Sequence, residues 1–106
     1  MYLAQWLVYK MELVFIDTPS HGYLKVSVSQ LSELGLSNKD FSNYSFKWKN
    51  YLLLEEDCDA PSLLKWIRAK HIPYKIIETH VDDLNEHFRL RVYNNKEPNA
   101  KYVRVF

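Results

Sequence analysis

The residues best placed to do chemistry form one run, Glu55-Glu56-Asp57-Cys58-Asp59-Ala60-Pro61, with four carboxylates and the only cysteine of the 106-residue chain. The run follows the apolar stretch Tyr51–Leu54 and precedes an amphipathic helix. Four acids this close repel one another, so something must offset the cost. A helix start does so, because carboxylates near free backbone N–H groups and the positive end of the dipole gain about 0.3–1 kcal/mol each. Asp59 is a residue of the N-cap type, and Pro61 suits the first helical turn. A divalent metal takes carboxylates from at least two elements. Here the acids are consecutive and Asp82-Asp83 is remote in sequence, so no metal is expected. The other use is an acidic edge of Glu55, Glu56, Asp57 and Asp59 that docks a cationic partner.

Cys58 invites a nucleophilic reading. A thiol at a helix N-terminus can ionise more easily, whereas the flanking Asp57 and Asp59 disfavour the thiolate. A Cys–His enzyme also needs a base in contact with sulfur. The candidate base is His21, in the turn Asp17-Thr18-Pro19-Ser20-His21-Gly22. A buried structural cysteine is the commoner outcome. The same turn holds Asp, Ser and His within five residues. Catalytic triads draw these types from separate elements, and three on one tight turn rarely align. Gly22 is read as a backbone requirement of the turn, and Ser20 and His21 as partners for its polar groups.

The elements that must position these residues follow from periodicity. Leu13–Ile16, Tyr23–Ser27, Tyr44–Trp48, Tyr51–Leu54 and Tyr74–Glu78 read as strands, the first two joined as a hairpin. A short helix capped by Ser27 or Ser29 runs to Leu34, with Gly35 as a left-handed C-cap. The main helix covers 60–71, with Leu63, Leu64 and Ile67 on one stripe and Pro73 ending it. Phe88–Tyr93 and Tyr102–Phe106 read as a closing antiparallel hairpin. The predicted fold is one α+β domain over 1–106, a mainly antiparallel sheet packed on one main helix plus a short one. Residues 1–10 contain no acid and are either a first strand or short helix, or an extension ahead of a second start at Met11.

In the closing hairpin, Leu90, Val92, Val103 and Val105 are assigned to the core. Arg89, Arg91, Tyr93, Tyr102 and Arg104 then share the outer face, as a candidate binding surface. Arginines interleaved with aromatic rings can grip phosphates and stack bases, and they suit a protein hot spot equally well. No nucleic-acid-binding signature accompanies them.

Composition sets the outer bounds. Hydrophobic residues make up 47% and the net charge is +1, which excludes an acidic DNA mimic and a strongly basic tail. A lone cysteine forms no intramolecular disulfide and suits a reducing cytoplasm. No apolar run approaches the roughly 18 residues of a membrane span. No cofactor is implied.

The segments Ser20-His21-Gly22-Tyr23-Leu24-Lys25-Val26 and Tyr51-Leu52-Leu53-Leu54-Glu55-Glu56-Asp57-Cys58-Asp59-Ala60-Pro61 resemble small uncharacterised bacteriophage and mobile-element proteins, over residues 11–70. The resemblance implies an accessory protein that engages a host protein or nucleoprotein, and it carries no catalytic residue. Two alternatives stay open: a small enzyme using Cys58 and His21, and a nucleic-acid binder using the Arg/Tyr hairpin. Of the three, the non-enzymatic binding module is favoured, because neither motif pairs a nucleophile with a base from a separate element.

Overall fold

A computed structural model of the protein describes residues 10–82 and the backbone of 102–104. Strand β1 (Met11–Asp17) turns into β2 (Gly22–Ser27), which runs into helix α1 (Val28–Glu33). A single 3-10 turn (Asn38–Asp40) leads to β3 (Phe46–Trp48) and β4 (Tyr51–Glu55). Helix α2 (Asp59–Ala69), β5 (Tyr74–His80) and β6 (Tyr102–Arg104) complete the order. The strands form one sheet in the order β5-β1-β2-β4-β3-β6. Four of the five pairings are antiparallel; β1 and β5 pair in parallel. The α+β class and the two helices therefore match the sequence reading, while the parallel pair was not anticipated.

Local chemistry accounts for most boundaries. Ser27 starts α1 with a reciprocal capping box: its hydroxyl accepts from the Gln30 amide at 2.9 Å, and Gln30 Oε1 accepts from the Ser27 amide at 2.9 Å. Gly35 ends the segment at φ +78°, where a side chain would be strained. The amides of Gly35 and Leu36 donate back to Ser32 and Leu31. His71 takes a left-handed conformation just after α2, ahead of Pro73.

β4 lies inside the sheet and buries Leu52, Leu53 and Leu54 on both faces. On the helical face, Leu31 of α1 and Ala60, Leu63 and Ile67 of α2 pack on Leu13, Leu24, Val26, Leu52 and Leu54. Each such aliphatic side chain contributes about 1.5–3 kcal/mol by leaving water. A smaller cluster, Ile16, Tyr23 and Leu53, occupies the opposite face. β6 pairs with β3, with Phe46 opposite Arg104 and Trp48 opposite Tyr102. The expected partner segment 88–93 and the proposed surface residues Arg89, Arg91 and Tyr93 lie outside the described residues, as do the side chains of Tyr102 and Arg104 and residues 1–9 of the proposed extension 1–10.

Candidate functional site

Strand directions decide where the polar residues collect. β1 is antiparallel to β2 and β2 to β4, so β1 and β4 run the same way, and β5 runs parallel to β1. The carboxyl ends of β1, β4 and β5 therefore share one edge of the sheet. Ligands of sheets with parallel strands commonly bind outside such ends. The turn after β1, the acidic run after β4 and the residues after β5 all meet there.

At this edge Asp17 and His80 stand opposite each other in the β1–β5 register. His80 Nδ1 lies 3.1 Å from Asp17 Oδ2, and Nε2 lies 3.3 Å from Asp82 Oδ1. Only the imidazolium can donate at both nitrogens. The hydrogen bond with Asp17, and after it the one with Asp82, raises the His80 pKa above the ordinary histidine value. All three side chains are well exposed, so solvent screens the pairs. The Val81 amide donates to the Asp17 carbonyl at 2.9 Å and ties the two strand ends together.

The turn after β1 is organised by Thr18, whose hydroxyl donates to the His21 carbonyl and accepts from the His21 amide. The Gly22 amide donates to Glu56 Oε1 at 2.9 Å, and the Glu56 amide donates to the Gly22 carbonyl at 3.1 Å. These bonds join two motifs that are 34 residues apart in sequence. Gly22 is required by close approach: a Cβ there would sit 2.3 Å from Phe15 Cζ and 2.9 Å from Glu56 Oε2.

The acids of the 55–59 run separate into distinct roles. Glu55 Oε1 accepts from the Asp57 amide at 3.0 Å and closes the turn. Asp59 is the first residue of α2, with Cys58 at the N-cap position and no side-chain cap bond. The Asp59 carboxylate is buried and accepts from the Ser42 amide at 3.1 Å, the Ser42 hydroxyl at 2.8 Å and the Ser45 hydroxyl. Ser45 in turn accepts from the Glu55 amide at 2.9 Å. Asp59 thus pins the 42–45 loop to the helix start instead of bonding the helix amides.

The expectation of a buried structural cysteine needs correction. Cys58 is exposed, not buried, and its recorded polar contact is the Ser42 hydroxyl at 3.9 Å. His21 packs edge-on against Tyr23, with ring centroids 6.4 Å apart, and among the described residues no hydrogen bond joins it to Cys58. Asp17 in turn reaches His80 and not Ser20 or His21. Among the described residues no group of three His, Cys, Asp or Glu side chains is arranged to hold a metal ion. None of the described helices is long and apolar enough to cross a membrane.

His80 was missed in the sequence, where it shared no context with a partner. The available signal was a histidine closing a strand with an acid two residues on, opposite a second strand that also closes on an acid.

The chain is similar to a protein described as "Probable GTP-binding protein EngB" from Limosilactobacillus fermentum, 29% identical over 86 residues, covering 74% of this chain and 44% of that protein. A protein of the same description from Caldanaerobacter subterraneus is 28% identical over 76 residues, covering 67% of this chain and 39% of that protein. The chain thus spans less than half the length of these relatives. No protein-family model matches, and no solved structure matches. These similarities overturn the bacteriophage resemblance and the host-binding accessory role drawn from it. The short segments that carried that resemblance lie where β1 turns into β2 and β4 runs into α2.

Proposed function

We propose that this chain is GTPase-related and supplies one part of a guanine-nucleotide site, at the carboxyl edge of β1 and β5. The observation that carries the reading is the convergence of Asp17, His80 and Asp82 on that edge, in a chain similar over most of its length to probable GTP-binding proteins. The edge is rich in carboxylates, so it repels a polyphosphate and suits the donor groups of a purine base. Guanine presents ring and exocyclic N–H donors, and an ionised carboxylate is an acceptor only. Asp82, with its side chain 94% exposed, is free to turn toward such donors at the cost of one contact with His80.

Hydrolysis is not part of the proposal. Phosphate-cradling loops of the G-x-x-x-x-G-K-[ST] type use glycines at fixed spacing. These 106 residues hold only Gly22 and Gly35 and contain no such run. The phosphates would need donors from outside them.

Amide NMR titration of the full chain with GDP, and with ADP as comparator, tests the reading. Shifts confined to Asp17–Thr18 and His80–Asp82, larger for GDP and lost in D82N, are expected. Equal shifts with both nucleotides, or none at millimolar GDP, would remove it.

A further inference from the structure

We propose that the groove between α2 and β5 is a docking site for an arginine carried on an extended segment that pairs with the outer edge of β5 in the described sheet. The groove encloses about 280 Å³. Phe15, Leu24, Leu64 and Ile76 form its apolar floor, and Glu56 and Glu78 stand at its rim. It is an apolar trough with two carboxylates, and among the described residues neither makes an ion pair. Glu56 is preorganised, because the Gly22 amide holds its Oε1 at 2.9 Å. Glu78 sits opposite Phe15 in the β1–β5 register and is exposed.

That combination fits a cation on an apolar stem. An arginine buries its methylenes on the floor while its planar guanidinium meets both carboxylates. The strand beside the groove indicates how the arginine arrives. β5 is the outermost strand on its side of the described sheet and pairs there only with β1. Among the described residues no further strand pairs with its outer edge, which is a template for an added strand. Side chains of an added strand alternate between faces, so every second one falls on the face of Ile76 and Glu78. Ile77, on the other face, is 40% exposed and offers the same strand an apolar contact. The inference does not depend on the nucleotide reading and is tested without nucleotide.

The probe is a short fluorescein-labelled peptide of alternating valine and arginine, compared with the same peptide carrying citrulline, the neutral isostere. Fluorescence anisotropy with the full chain should show the arginine peptide binding about tenfold more tightly than the citrulline peptide. E78Q, at an exposed position, should keep the wild-type melting temperature and weaken arginine-peptide binding about tenfold. E33Q, which removes a carboxylate on α1, should leave binding unchanged. Equal affinity for the two peptides, or an equal loss in E33Q and E78Q, would overturn the proposal, the latter by reducing it to general charge attraction. Competition by free agmatine at the peptide's own concentration would overturn the strand-docking part, since a small cation would then suffice.

Discussion

Asp17 and His80 close adjacent parallel strands and meet across them, Oδ2 to Nδ1, at 3.1 Å. They are 63 residues apart in the chain. Their contact marks the edge where the turn after β1 and the residues after β5 come together.

This contact makes a pH-dependent contribution to folding. The folded-state pKa of His80 is raised, so the folded chain holds that proton more tightly than the unfolded chain. The contribution is fully present below the unfolded histidine value of about 6.5 and is lost as pH rises through the higher folded value. An NMR titration of the His80 ring should place its midpoint above the ordinary histidine value, and D17N should lower it. A midpoint that stays put in D17N would show that Asp17 does not set it.

Asp59 serves as a buried acceptor. Replacing it with alanine strands the Ser42 amide and the Ser45 hydroxyl near a buried carboxylate site. Hydrogen bonds to a charged group contribute about 1.5–3 kcal/mol each, and bonds that share one acceptor do not add fully. Asp59→Ala should therefore cost about 2–4 kcal/mol in urea denaturation, more than the roughly 1 kcal/mol of a lost helix cap. A loss under about 1 kcal/mol would return Asp59 to an ordinary helix-start role. Glu55→Ala, which removes one exposed turn contact, should cost much less.

Gly22→Ala tests close packing directly. The added methyl would press on the Phe15 ring and on Glu56, the two groups that shape one end of the α2–β5 groove. Overpacking of this kind typically costs about 1–3 kcal/mol. A thermal melt that does not move would mean that Phe15 swings aside freely.

The exposed position of Cys58 predicts rapid alkylation. Alkylation by iodoacetamide should proceed in the native protein at a rate close to that in urea. Cys58→Ser should change stability by no more than about 0.5 kcal/mol, as surface substitutions usually do. Slow native alkylation would place the thiol in a protected site.

Several elements were legible from the residues alone because their signals are local. Three consecutive leucines at 52–54 marked an interior strand, since both faces had to be covered. A serine at 27 or 29 marked a helix start, and Gly35 its left-handed end, because capping depends on residues a few positions apart. The stripe of Leu63 and Ile67 marked the face of α2 that meets the sheet. Tertiary structure alone decided the rest. The parallel pairing of β1 with β5 depends on α2 carrying the chain back past two strands, which no local pattern encodes. That pairing brings His80 to Asp17, and the β2–β4 ladder brings Gly22 to Glu56. The burial of Asp59 was likewise decided by the 42–45 loop folding onto the helix start. Sequence neighbours suggested a cap, but a carboxylate bonds whichever donors the fold places nearest, and here those came from a loop 14 to 17 residues upstream.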